Sequence, residues 1–209
     1  MLNDVWRNIS SEIGIFWKGR FDRVPPHPGV YAWFYPLRVT TRDLGDFLTE
    51  VSQIFAFDAA ARGTPAAEVE AAFTWRSIGL HVRVLHKDGP VPKNVSAQWE
   101  QIVSNDARFD QLRRMVLRGS ILMPPLYVGK THNLLTRCGQ HLAGSSDNSF
   151  HARYVEYARS VGAHAQNVSD LIFACIRTGS SEVDDDNEEM ETVVEEILKR
   201  ASRPPYGIK

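Results

Sequence analysis

The chain has 209 residues, 43% of them apolar and 23% charged, with a formal net charge of −1; this is the size of one domain able to bury a substantial core. No uncharged stretch approaches the roughly 20 apolar residues of a membrane-spanning helix, and Met1 to Trp17 carries Asp4, Arg7 and Glu12 where a secretion signal would be unbroken. Cys138 and Cys175 make no disulfide framework, so reduced thiols and a soluble, cytoplasmic protein are expected.

In chain order, an amphipathic helix is predicted over Asn3 to Lys18. The Pro25-Pro26-His27-Pro28-Gly29 cluster stops it and hands over to Val30-Tyr31-Ala32-Trp33-Phe34-Tyr35, an aromatic and β-branched run that reads as a strand. Leu44, Phe47, Leu48, Val51, Ile54 and Phe55 recur at helical spacing within a helix over about 42–58, and a shorter helix follows from Pro65 to Phe73. Ile78, Leu80, Val82 and Val84 alternate as in a strand, ended by Lys87-Asp88-Gly89-Pro90, and 96–118 is helical again.

Pro124-Pro125 opens a second strand, Leu126-Tyr127-Val128, ended by Gly129. Asn133 is the expected N-cap of the next helix, whose apolar side is Leu134, Leu135, Cys138 and Leu142. A helix over 149–161, a buried strand over Leu171 to Ile176 and a last helix from near Asn187 to Ala201 complete the chain, with Arg203-Pro204-Pro205 as the stop. Residues 182–196 hold nine of the 25 acidic side chains and no Lys or Arg; outside them 24 basic face 16 acidic side chains, an excess suited to a phosphate-binding face.

Gly29-Val30-Tyr31 and Tyr127-Val128-Gly129, each on a short strand, resemble the paired signatures of the GIY-YIG nuclease family. The context extends the resemblance: Gly129-Lys130 is followed by Asn133-Leu134, then Arg137, then His141 one helical turn later, and Glu195 stands nine residues before Pro204. The likeness covers 28–35 and 124–207. It implies an α/β (α+β) fold, a small and mostly antiparallel sheet flanked by helices, with a core of 24–36 and 122–209 interrupted by an insertion over about 37–121. About ninety residues separate Tyr31 from Tyr127, where the family has a short hairpin, and the insertion must fold without disturbing the pairing of the two strands. The family's C-terminal Asn is replaced by Gly207.

By the same resemblance the chain is a metal-dependent DNA endonuclease of restriction type. Tyr31 is then the general base, Arg137 stabilises the transition state, and Tyr127, Lys130 and His141 position groups or share the proton. Glu195 is the single carboxylate ligand of Mg2+ or Mn2+, and a homodimer would serve to cut both strands. The residue types suit the chemistry independently, since phosphodiester hydrolysis needs a base for water, positive charge on the equatorial oxygens and stabilisation of the leaving oxygen. A phenol near its ordinary pKa of about 10 is a poor base unless neighbouring cations depress it, and Arg137 and His141, four apart, share one helix face.

Other chemistries find less support. Gly129-Lys130-Thr131 ends like a phosphate-binding loop, but position 124 is Pro where that loop needs Gly. Asp184-Asp185-Asp186-Asn187-Glu188-Glu189 lacks the glycine and distal glutamate of a calcium loop. Cys138 and His141 have no second pair at zinc-ligand spacing. Aromatic and basic residues of the insertion, Trp75, Arg76, His81, Arg83, His86, Lys87 and Lys93, are candidates for core or surface before DNA contacts. The competing readings are a nucleic-acid-binding or regulatory protein of the same fold without catalysis, and a nuclease acting on RNA.

Overall fold

A computed structural model describes residues 12–55, 73–74, 77–78, 91–144, 149–178, 188–202, 204 and 206. Its centre is a four-stranded antiparallel sheet in the order β1 (Ile13–Phe16), β6 (Ile172–Arg177), β2 (Gly29–Phe34), β5 (Tyr127–Thr131). Six helices accompany it among the described residues: α1 (Leu44–Phe55), α2 (Lys93–Val103), α3 (Asp106–Gly119), α4 (Leu134–Ala143), α5 (Ser149–Ser160) and α6 (Glu188–Ser202). The fold is a mixed α/β arrangement, as the sequence predicts.

The sheet is built around β2, which has neighbours on both edges and is apolar on both faces, as a central strand should be. Tyr31, Trp33 and Tyr35 project to one face and join Phe173 of β6 and Phe150 and Tyr154 of α5 in the main core. Trp33 lies edge-on to Phe173 with ring centres 4.9 Å apart, and Tyr31 stacks on Phe173 at 5.3 Å. Burial of each such ring contributes roughly 2–3 kcal/mol, and the tilted and offset geometry adds to it. Val30 and Ala32, with Val128 of β5 and Ala174 of β6, form the opposite face, where α6 crosses β5 and β2. At the start of β2 the strands approach closely: a Cβ on Gly29 would stand 2.3 Å from the Ile176 carbonyl oxygen.

Between β2 and β5 runs the long insertion, and its helices have a smaller core of their own, Val39, Phe47, Trp99 and Val103. Val51 and Val116 touch both this core and the main one, so the two are continuous. Polar contacts fasten the joint. Tyr35 donates its hydroxyl to Glu50 Oε1 at 2.7 Å, His164 Nδ1 also meets Glu50, His164 Nε2 stands 2.9 Å from the Pro36 carbonyl oxygen, and Tyr157 donates to the Gln53 carbonyl at 2.8 Å. β2 and β5 nevertheless pair in register, Tyr31 opposite Gly129 and Trp33 opposite Tyr127.

Three expectations are corrected. Ile13–Phe16 is the edge strand β1 and not the end of a helix: its alternation sends Ile13 and Ile15 to one side and packs Phe16 against the core. The sheet therefore begins before residue 24; residues 3–11 of that expected helix lie outside the described residues. The single helix over 96–118 is two helices, α2 and α3, broken where the Asn105 side chain accepts the Arg108 N–H and caps α3. Phe73 belongs to a two-residue strand, β3 (Phe73–Thr74), paired with β4 (Ser77–Ile78). Positions 65–72 and 79–85, the acidic loop before α6, Trp75 and its basic neighbours to Lys87, and Gly207 lie outside the described residues.

Candidate functional site

The site forms at one end of the sheet, where β2 begins and β5 and β6 end. Two features of the local sequence build it. Strand alternation points Tyr31 and Tyr127 to the same face of adjacent strands, ring centres 6.0 Å apart. The Asn133 side chain then accepts the Thr136 N–H at 2.9 Å and starts α4 directly after β5, which carries Arg137 and His141 on one helical face over the tyrosines. The first N–H of α4 is held in turn by the His27 carbonyl, 3.0 Å away, just upstream of β2.

The Tyr31 hydroxyl is the hub. It lies 2.8 Å from His141 Nε2 and accepts the Arg137 Nε–H at 3.1 Å. His141 is fully buried, edge-on to Tyr31, Tyr127 and Trp33, and Tyr31 is 2% exposed. Burial raises the Tyr31 phenol far above its ordinary pKa and the Tyr127 phenol adds to this; the Arg137 hydrogen bond and charge pull the other way without reversing it. Depression of the phenol by neighbouring cations, expected from the sequence, is therefore present but outweighed. Arg137 itself is held more firmly protonated: burial opposes its charge, and the two phenols prevail.

Lys130 departs from the expected ring of charge around the tyrosines. It alternates to the other face of β5, opposite Val30, and donates Nζ to Thr192 Oγ1 of α6 at 2.7 Å. An open pocket of about 260 Å³ lies between α4 and α6, lined by Lys130, Thr131, His132, Arg137, Gln140 and Glu191. Glu191 is the carboxylate in it, 2% exposed and hydrogen-bonded by the Thr178 hydroxyl. Glu195, the residue that the offset to Pro204 selects, stands one turn further along α6 and forms an ion pair with Lys199 at 2.8 Å. The structure thus brings Tyr31, Tyr127, Arg137 and His141 together and sets Lys130 on the other face of β5, and of the two glutamates it is Glu191 that lines the pocket.

Sequence reasoning missed Glu191, Thr178 and Thr192. Glu191 and Glu195 are four residues apart on one helical face, and Glu191 is the one nearer the N-terminus of α6 and hence nearer the strand ends; that order along the helix was the available signal. A buried carboxylate is costly without compensation. Glu191 has one hydrogen-bond donor, Thr178, among the described residues and faces a pocket, which fits an oxygen-preferring divalent ion held by one carboxylate with water and phosphate oxygens. Among the described residues no three His, Cys, Asp or Glu side chains gather as a closed metal cage, and such a hydrated ion requires none.

Compared with protein-family models, with curated proteins and with solved structures, the chain finds no match. Among the described residues no helix is long and apolar enough to cross a membrane.

Proposed function

We propose that the chain is a metal-dependent endonuclease acting on DNA, of the GIY-YIG type that its two tyrosine tripeptides resemble. One observation carries this reading: the Tyr31 hydroxyl shares its hydrogen bonds between a histidine nitrogen and an arginine, beside a pocket that also holds a buried carboxylate. The resemblance brought these residue types together by spacing, and the geometry supports it by setting Tyr31, Tyr127, Arg137 and His141 in contact at one end of the sheet.

In this reading a buried phenol with a raised pKa acts as a base without first ionising. With His141 in the tautomer whose Nε2 is bare, the Tyr31 hydroxyl proton passes along the 2.8 Å contact to His141 as the Tyr31 oxygen takes the proton of the attacking water. The new P–O bond forms to that water oxygen while the bond to the leaving oxygen breaks. Arg137, already bonded to Tyr31, sets its guanidinium beside the equatorial phosphate oxygens, and Lys130 adds charge from the opposite wall. Tyr127 packs against Tyr31 and His141 and fixes their rings. Glu191 would hold the magnesium or manganese ion. When bound, that ion supplies positive charge for the phosphate and leaving oxygens.

The competing reading, a nucleic-acid-binding protein without catalysis, draws on the near-complete burial of Tyr31. Supercoiled plasmid incubated with magnesium and either the wild type or Tyr31→Phe separates the two. Cleavage by the wild type alone supports the endonuclease; DNA retention in a shift assay without cleavage by either protein supports the binding protein. Cleavage of an RNA substrate and not of DNA would move the assignment to a ribonuclease.

A further inference from the structure

Where β6 ends, Thr178 ties together three elements that meet at the pocket. Its backbone N–H donates to the Pro28 carbonyl at 3.2 Å, immediately before β2, and its hydroxyl donates to Glu191 Oε1 in the first turns of α6. α6 is held to the sheet a second time one residue later, by Lys130 on Thr192. The carboxylate is therefore anchored from a strand end that is itself pinned to the neighbouring strand. Thr178 is β-branched, with few side-chain rotamers open to it, and in the one it adopts the hydroxyl meets Glu191. One carboxylate oxygen receives this bond, and the second accepts none among the described residues while its side chain lines the pocket with Arg137, Gln140 and Lys130.

We propose that Thr178 is a positioning residue for Glu191: its hydroxyl occupies one carboxylate oxygen and so presents the other to the pocket as a preset single-oxygen ligand for a divalent ion. The inference rests on the metal-dependent reading above and adds a specific function for a residue outside both tyrosine tripeptides and the Arg137–His141 helix. A preset carboxylate restricts the ion to one protein oxygen, leaving coordination positions for water and phosphate. Without the Thr178 bond the carboxylate can rotate, either turning away from the pocket or engaging with both oxygens. Partners that orient a metal ligand in this way usually matter by about 10–100-fold in metal affinity.

The test compares wild type, Thr178→Val, Thr178→Ser and Glu191→Gln by thermal unfolding over a manganese titration with no nucleic acid present, beside the manganese dependence of plasmid cleavage. Valine keeps the branched shape and removes the hydroxyl; serine keeps the hydroxyl. The expected result is a manganese-dependent rise in the wild-type melting temperature that Glu191→Gln abolishes. Thr178→Val should need about tenfold or more manganese for half of its own maximal shift and for half-maximal cleavage, with Thr178→Ser close to wild type. Equal manganese midpoints for wild type and Thr178→Val would overturn the role of Thr178 while leaving the metal site intact. Equal weakening in the serine and valine variants would also overturn it, because the hydroxyl would then not be the group that matters. A wild type with neither manganese-induced stabilisation nor cleavage would overturn both this inference and the endonuclease reading.

Discussion

Gly129 stands opposite Tyr31 across the β2–β5 ladder, and the phenol lies over the place where a side chain would be. A methyl group there would come within 2.6 Å of the Tyr31 hydroxyl oxygen and 2.9 Å of Tyr127 Cε1. The tyrosine is thus seated on its neighbour's missing side chain, and its hydroxyl reaches Arg137 and His141 from that seat.

Gly129→Ala should consequently disturb the hub more than the fold. Displacing the ring costs about 1–3 kcal/mol, measurable as a lower denaturant midpoint. Cleavage should fall by about 100-fold, the usual effect of misplacing a reacting group by about 1 Å. A variant with the lowered midpoint and unchanged cleavage would show that the Tyr31 hydroxyl is not where the chemistry occurs.

The two glutamates of α6 should behave differently. Glu191→Gln is expected to abolish metal-dependent cleavage with the protein still folded. Glu195→Gln removes an i,i+4 pair with Lys199 and should change stability by less than about 1 kcal/mol, with cleavage retained. Side-by-side cleavage and melting of the two variants checks this, and the reverse pattern would return the ligand role to Glu195.

Alkaline pH should destabilise the protein. Burial pushes the Cys138 thiol up to about 12, with the nearby Cys175 adding to it, and burial pushes Cys175 up to about 11 against the opposing Gly14 N–H and Arg177 charge. Between the ordinary thiol value of about 9 and these values the unfolded chain releases protons that the native chain retains. Stability is therefore full below pH 9 and falls as pH rises towards 12. Tyr154 and Tyr206, raised chiefly by burial, continue the trend at higher pH. Urea midpoints from pH 8 to 11 should decline, and a thiol reagent at pH 8 should label the two cysteines only as the protein unfolds.

Glu50→Ala should loosen the insertion and leave the sheet intact. It takes the acceptor from Tyr35 and the carboxylate from His164, at a cost of about 1–3 kcal/mol for the partners left behind. Hydrogen exchange is expected to quicken in α1 and to stay slow in β2; equal acceleration in both would mean that the Tyr35–Glu50–His164 cluster supports the core as a whole.

Much of this arrangement was legible in the sequence because its signals are local. Asn133 announces the start of α4, strand alternation puts the tyrosines on one face, and a spacing of four aligns Arg137 with His141. The same period of two already set Lys130 on the opposite face of β5. The misses depend on tertiary contacts or on ambiguous short runs. Ile13 to Phe16 is four apolar or small residues in a row, too short for period alone to separate strand from helix. The choice between Glu191 and Glu195 is a question of how α6 is docked against Thr178 and Lys130, contacts that the period of the helix does not determine.

The Leu126 N–H donates to the Trp33 carbonyl at 2.7 Å, so the insertion leaves and re-enters the sheet at adjacent points. During synthesis β2 emerges with both edges unpaired and waits for β5, about ninety residues behind. At the usual pace of translation the wait is on the order of 5–20 seconds. The strand that carries Tyr31 is apolar on both faces, so in that interval it is exposed to wrong partners. The Tyr31–Arg137–His141 cluster then assembles only after α4 has followed β5, so the site proposed for hydrolysis cannot form until the whole insertion has been synthesised.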